Sequence, residues 1–469
     1  MDWDECSEID NTVDVYIWLR KFIQCRGETL TDWVSTFHKD KLPCRLANDQ
    51  FHNDQRGSFN WTCKVIFANE EKWMVRFPRG GKVKIPDEKV EIEVATMSLI
   101  RQQTEIPIPE VKAWGIASDN ILGLGPFIMT TFIEGVSLGD ILQDPEDPDS
   151  RRMRRDIGDA AIEKVYRQIA RFMLQLSQLD FTHIGSLSRT SQSNSKYAAT
   201  IHARPMTWKA HETLNVGGVD VFCSPATTFS STTDYFSHIA DNDWRQLHEQ
   251  LNSVDDEEDA RQKYLYWIVL DILIPRFVIP KYDKGPFKLI CDDFGPANMI
   301  VNSAEDLTIV AVIDWEWSYA GPLQLFWSSP RWLLMQTPNT WSESDERLAG
   351  YNRHLDMYLQ ILQEEEKAYG GDLLAEDSPS ALMRQGRVDG RMWFHHIMWE
   401  GFNGPNHVPF EQLRAAVPDF DHLMAGIPKE KADAFVEAKM RDLATYTLKL
   451  AEKKEWFEGL KNAEGASSS

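Results

Sequence analysis

The sequence predicts an α+β, bilobal fold with a small β-rich N-lobe and a large, mainly helical C-lobe. Two β-rich runs, Cys63 to Phe67 and Trp73 to Phe77, flank a polar turn at 68–72, which is the pattern of a hairpin. Helix-type periodicity follows, from Val90 through Val94 and Met97 to Ile100. Past residue 135 the patterning is mostly helical, interrupted by three short aliphatic runs, Phe287 to Ile290, Met299 to Val301 and Ile309 to Ile313.

Taken in chain order, residues 1–50 form an N-terminal helical extension, with helices over 12–37. Residues 51–135 make the N-lobe. Its helix ends at "IPIPEV", because proline removes an amide donor and restricts the residue before it. A further strand spans 126–133 and stops at a turn on Glu134 and Gly135. Residues 136–464 make the C-lobe. There "YLYWIVLDILIPRFVIP" (264–280) is interrupted by Asp271, Pro275 and Arg276, which favours a buried helix and a turn over a membrane span. The polar tail at 465–469 is expected to be disordered.

Composition narrows the function. The 469 residues carry 50 Lys plus Arg against 72 Asp plus Glu, a formal charge of -22, and no basic cluster able to track a phosphate backbone. Nucleic acid and anionic membranes are therefore not expected as partners. Six scattered cysteines show no metal-ligand spacing and no disulfide framework, and the acidic N-terminus is unlike a signal peptide. A cytoplasmic protein with a small-molecule substrate is expected, and its oligomeric state is not legible.

The chemistry concentrates in "CDDFGPANMIVNSAEDLTIVAVIDWEWSYAGP" at 291–322. Asp293 and Asn298 are five positions apart between the first two aliphatic runs, and Asp314 ends the third. If the three runs form one small sheet, a hairpin brings these groups to one edge. Hard oxygen donors converging there suit Mg²⁺ bound to a nucleotide, since that ion takes a few protein oxygens and leaves the rest to phosphates and water.

The order D-x4-N, then a hydrophobic strand ending in I-D-W-E, resembles the catalytic hairpin (287–316 here) of the aminoglycoside phosphotransferase and choline kinase-like family, which shares the protein-kinase fold. The wording is most similar to that family's fungal branch. The resemblance implies ATP and Mg²⁺ as cofactors, Asp293 as the catalytic aspartate, and Asn298 and Asp314 as metal ligands. It further implies that "RGSFNW", with Gly57 and Ser58, covers the nucleotide, and that Arg76 and Glu93 stand where a phosphate-binding lysine and its helix partner would be. "MTTFIEG" at 129–135 resembles the strand that meets adenine.

Departures from the pattern are specific. Cys291 and Asp292 replace the histidine and glycine of H-G-D-x4-N, and Arg76 replaces lysine. A thiol is a weaker hydrogen-bonding brace than imidazole, and a guanidinium is a planar fork where an ammonium is a point charge. Asp292 is expected to be solvated or capping, and Glu316 to make a structural hydrogen bond or reach the metal through water. Two readings stay open: a small-molecule O-phosphotransferase, and a kinase-like nucleotide-binding scaffold that has lost turnover. Adjacent His395 and His396 lack zinc spacing, while Trp393, Phe394, Met398, Trp399 and Phe402 read as a core stripe. The insertion at 181–262 is expected to set acceptor specificity.

Overall fold

In the computed structural model, residues 4–47, 55–147, 152–188, 200–341, 346–370, 377–400 and 407–467 are described. Helices α1 (Glu5–Cys25) and α2 (Glu28–Ser35) precede a mixed-length antiparallel sheet of β1 (Cys44–Leu46), β2 (Gln55–Arg56), β3 (Asn60–Phe67), β4 (Lys72–Pro78), β5 (Val111–Gly115) and β6 (Phe127–Thr131). Its order is β1-β3-β4-β6-β5, with β2 pairing β3. Residues alternate across its faces as a strand period of two requires. Cys63, Val65, Trp73, Val75 and Phe77 bury against Phe22, Leu30, Trp33 and Val34 of the two helices. Arg76, between Val75 and Phe77, therefore points to the opposite face. The N-terminal extension is not wholly helical, because β1 joins the sheet beside β3.

Helix α3 (Pro86–Gln103) starts with proline in its first turn, where the missing amide is no loss. Val90 and Val94 pack on Ile128 of β6. Lys89 and Glu93, one turn apart, share a helix face and reach the C-lobe together.

The C-lobe holds one large core that draws on nearly every helix. Its elements are β7 (Val136–Ser137), α4 (Leu138–Leu142), α5 (Asp159–Leu176), β8 (Asp180–Phe181), β9 (Ser186–Ser188), β10 (Thr200–Ala203), α6 (Trp208–Asn215), α7 (Thr232–Glu249) and α8 (Glu257–Phe277). After β11 (Phe287–Cys291), β12 (Met299–Val301), β13 (Ile309–Val312) and β14 (Ser318–Gly321) come α9 (Leu323–Phe326), α10 (Arg347–Ala368), α11 (Pro379–Val388), α12 (Arg391–Glu400), α13 (Val408–Ala416), α14 (Phe420–Ala425) and α15 (Lys429–Ser467). Helix α8 accommodates Pro275 in its last turn. No helix among the described residues is long and apolar enough to cross a membrane.

Two expectations are corrected. The three aliphatic runs do not form one sheet: β11 pairs with β14 and β8, whereas β12 pairs with β13 and β7. The turn through Gly295 and the 3-10 segment Pro296–Asn298 carries the chain from one sheet to the other, so Asp293 and Asn298 lie on a crossover loop. The C-terminal helix continues to Ser467, past the start of the expected tail, and Ser468 and Ser469 lie outside the described residues. Phe402 does too. The rest of its stripe is core, with Trp393, Phe394 and Met398 buried and Trp399 packed against them.

Candidate active site

The crossover loop and the segment after β13 form the floor of the site. Asn298 donates from its amide nitrogen to the Asp293 carboxylate at 2.8 Å and to the Asp293 carbonyl at 2.9 Å. Asp293 is exposed and Asn298 half-buried. Asp314 comes alongside through the backbone, because the Ile313 N–H donates to the Asn298 carbonyl at 2.9 Å and Met299 pairs with Val312. This link extends the antiparallel β12–β13 pairing by one position and brings the end of the crossover loop and Asp314 together. Asp314 has φ 60° and Trp317 φ 58°, the left-handed region that residues other than glycine enter at a cost.

The roof supplies two cations. Arg76 forks, donating from Nη1 to Asp314 at 2.8 Å and from Nη2 to Glu93. Burial alone would disfavour its charge, but Glu93 and Asp314 outweigh that and push its pKa up. Lys89 pairs with Glu316. Glu316 also accepts from Asn60 Nδ2 at 2.8 Å and from the Trp317 indole N–H at 3.1 Å. Lys89, Asn60 and Glu316 are all buried. Residue 316 thus ties the start of β3 and helix α3 to the strained 314–317 turn, which is the structural hydrogen-bonding role expected of it.

Three carboxylates, Glu93, Asp314 and Glu316, bring ligand oxygens within 4.8 Å of one another. Among the described residues they face two cations, Arg76 and Lys89. The surplus negative charge has a visible consequence. Burial, then repulsion from Glu316, pushes the Asp314 carboxyl well above the usual range despite Arg76. Glu316 moves the other way: burial would raise it, but Lys89 and Arg76 hold it low. The second Glu93 oxygen, Oε2, is buried with no hydrogen-bond partner among the described residues. A hard divalent cation fits such an oxygen-rich, electron-rich corner.

Gly57 and Ser58 are exposed at the turn between β2 and β3, where Gly57 N–H donates to the Asn60 carbonyl at 3.0 Å. Arg79 anchors that turn by donating to the Gly57 and Ser58 carbonyls at 2.9 and 3.2 Å. A Cβ on Gly57 would meet nothing closer than 3.5 Å, so space alone does not demand glycine there. The turn approaches the site through Asn60, whose side chain joins the Glu316 network. Arg76, Glu93 and Asp314 are in direct contact, Asp293 and Asn298 form a second bonded pair, and the hydrogen bonds of Gly57 and Ser58 run to Asn60 and Arg79, which belong to neither group.

Cys291 takes a bracing position. Its thiol lies 3.3 Å from the Glu316 carbonyl and 3.9 Å from that of Asp314. Burial pushes its pKa well up, so it is a neutral donor there and not a thiolate. Asp292 turns inward and caps: Oδ2 accepts the Trp208 N–H that opens α6 at 3.0 Å, and Oδ1 accepts from the Tyr319 hydroxyl at 3.3 Å. Burial raises its pKa to about 6, against the opposing pull of Arg331. Sequence reasoning missed Lys89, Asn60 and Arg331. Only the four-residue spacing of Lys89 from Glu93 could have suggested the first.

Comparison with known proteins identifies the family. The model of the phosphotransferase enzyme family matches residues 56–325, which include every site residue above except Arg331. A stretch of 128 residues is 31% identical to altered inheritance of mitochondria protein 9, mitochondrial, of Clavispora lusitaniae; it covers 26% of this chain and only 19% of that relative's length. Among solved structures, a candidate aminoglycoside phosphotransferase from Ralstonia eutropha overlaps 90% of this chain and 99% of its own, at 12% identity and a TM-score of 0.43. An ethanolamine kinase from Plasmodium vivax overlaps 85% and 83%, at 15% identity and a TM-score of 0.38. Likenesses this distant carry no inference about substrate.

Proposed function

Because the chain belongs to the phosphotransferase enzyme family, we propose that it transfers the γ-phosphoryl group of ATP to a hydroxyl of a small-molecule metabolite. The observation that carries this reading is the meeting of Arg76, Glu93 and Asp314 from a strand, a helix and a distant loop in one corner, with Glu93 buried and Arg76 and Asp314 half-buried. An arginine fixed by two carboxylates presents a pre-oriented fork for phosphate oxygens, so little ordering is left for the moment of reaction. Asn298 and Asp314 would hold Mg²⁺, which when bound neutralises charge on the transferred group.

Asp293 would accept the proton of the acceptor hydroxyl as its oxygen bonds to phosphorus and the bond to the ADP oxygen breaks. Its bond from Asn298 fixes one carboxylate oxygen and leaves the exposed side of the group toward the acceptor. Gly57 and Ser58 would cover the phosphates. The rival scaffold reading draws no support from the site, since Asp293, Asn298 and Asp314 are all present.

The deciding experiment supplies γ-labelled ATP, Mg²⁺ and a metabolite extract to the wild type, Asp293→Asn and Asp314→Ala. Label should enter a metabolite with the wild type alone, and Asp293→Asn should slow transfer roughly 10²–10⁴-fold. Binding of Mg·ATP with no transfer, and no difference between the three proteins, would establish the scaffold instead.

A further inference from the structure

The segment after α9, residues 330–333, grips the crossover loop on either side of Asp293. Arg331 donates from Nη2 to the Asp292 carbonyl at 2.5 Å. That carbonyl belongs to the planar peptide whose nitrogen is Asp293's own, so the bond fixes the plane from which the Asp293 backbone starts. Past Asp293 in the chain, a Cβ on Gly295 would stand 3.0 Å from the Cβ of Trp332, closer than ordinary packing. Gly295 is extended at φ 175°, which any residue adopts, so what favours glycine there is the nearness of Trp332.

The segment can hold the loop because it is held itself. The Tyr351 hydroxyl donates to the Pro330 carbonyl and the Tyr166 hydroxyl to the Leu333 carbonyl, both at 3.0 Å. Both tyrosines are buried in the C-lobe core. Arg331 is aimed by two further contacts: Nη1 donates to Glu400 at 3.2 Å, and the guanidinium lies 4.6 Å over the Trp399 ring. With the Arg331 and Glu400 side chains 14% and 7% exposed, little water competes for these bonds. A guanidinium serves both partners at once because its donors form a rigid fork, which a lysine ammonium does not.

The loop's brace from within is weak. Cys291, at the histidine position of H-G-D-x4-N, offers a neutral thiol 3.3 and 3.9 Å from its two carbonyls, and a thiol is a poor donor. A hydrogen bond from a charged donor is roughly twice as strong as a neutral one. We propose that Arg331 is a positioning residue: acting through the Asp292 carbonyl, and aimed by Glu400 and Trp399, it sets the Asp293 carboxylate for the acceptor hydroxyl and supplies the bracing that Cys291 performs weakly. The catalytic consequence rests on the phosphotransferase reading; the brace itself does not. An arginine that served only to neutralise Glu400 would leave the loop indifferent to its loss.

The test compares the full-length wild type with Arg331→Met/Glu400→Gln, which leaves no unpaired charge behind, and with Arg331→Lys, which keeps a cation beside Glu400 but cannot hold both partners. Hydrogen exchange read by mass spectrometry over residues 291–298 follows the Phe294 and Asn298 amides, which are bonded to the Cys291 and Gly295 carbonyls. Exchange there should be roughly 10–10²-fold faster in the double variant, the value of one hydrogen bond from a charged donor, while α5 keeps its wild-type protection. Arg331→Lys should show a smaller acceleration confined to the same loop, and it carries the comparison alone should the double variant not fold. Transfer of label from γ-labelled ATP to a metabolite extract, at saturating Mg·ATP, should slow by about 10²-fold, as expected of a misplaced catalytic group. Mg·ATP affinity by calorimetry should stay at the wild-type value, a split that general loss of structure would not produce. Wild-type exchange of the loop in the folded variants, acceleration spread equally over α5, or transfer as fast as that of an active wild type would each overturn the proposal. A wild type that transfers no label would sink the phosphotransferase reading, and the catalytic consequence with it, while the exchange comparison still decides the brace.

Discussion

Removing one buried ammonium should loosen the joint between the lobes. In Lys89→Met the near-isosteric side chain keeps the packing of α3 but takes away the cation paired with Glu316 and its bond to Asn60 Oδ1 at 3.3 Å. Both partners of the pair are 1% exposed, so water cannot take the place of the lost charge. Breaking a fully buried pair from one side costs about 3–5 kcal/mol, and the retained bonds from Asn60 and Trp317 place this case near the lower figure, about 3 kcal/mol. The pH dependence follows from the sign of the Glu316 shift. In the wild type its pKa is held low, so its contribution is present above the unfolded value near 4.3 and disappears as pH falls through the folded one. Without Lys89, burial dominates and the folded pKa rises, so the penalty grows as pH climbs above about 4.3 and vanishes below it. Urea denaturation should therefore show a full deficit at pH 7 that shrinks toward pH 4.5. Lys89→Met/Glu316→Gln, which removes both charges, should recover most of the loss. A single variant within about 0.5 kcal/mol of wild type at pH 7, a level typical of an unimportant surface change, would refute the clamp, as would a double variant no better than the single.

Arg76→Lys should weaken Mg·ATP binding about ten-fold or more by calorimetry, because a point-like ammonium cannot hold Glu93 and Asp314 in one fork and loses a charge-assisted bond. Lys209 donates to Asp243 at 2.6 Å and to the Met398 carbonyl at 3.2 Å inside the C-lobe, so Lys209→Met should lower stability by about 3 kcal/mol, with Lys209→Met/Asp243→Leu restoring most of it in the same melt. Asp292, its pKa raised by burial to about 6, keeps its proton in the folded state after the unfolded chain has lost its own, so its contribution falls as pH rises from about 4 to about 6. Asp292→Asn preserves the bond to Trp208 and should flatten that part of the stability profile by roughly 1–3 kcal/mol, measured from denaturation midpoints at pH 4.5 and 6.5.

The parts of the fold that could be read in advance are those set by local periodicity. The alternation from Trp73 to Phe77 defines a two-faced strand whichever partner it finds, and the spacing of Val90, Val94, Met97 and Ile100 defines a helix face. Strand pairing is different, because it depends on which edges meet. Three neighbouring aliphatic runs suggested one sheet, yet a turn of seven residues sends β11 and β12 to separate partners. At the site, Asp293, Asn298 and Asp314 stood out because acceptor oxygens at fixed spacing are unusual between aliphatic runs. Lys89 and Asn60 did not, since a lysine on a helix ordinarily faces water and nothing local announces a burial that is completed more than two hundred residues away.

The sequence by itself determined the two-lobed division, the order of strand, helix and loop, and the identity of the oxygen donors, all of which follow from side-chain chemistry and short-range period. Only the tertiary structure decided how those donors are charged and held. Three carboxylates and two cations come together from β4, α3 and the 314–317 turn, and their number in one low-dielectric corner, not any residue's own preference, raises Asp314 and lowers Glu316. The same is true of Cys291, whose thiol carries no role in its letter and acquires one from the Asp314 and Glu316 carbonyls that folding sets before it.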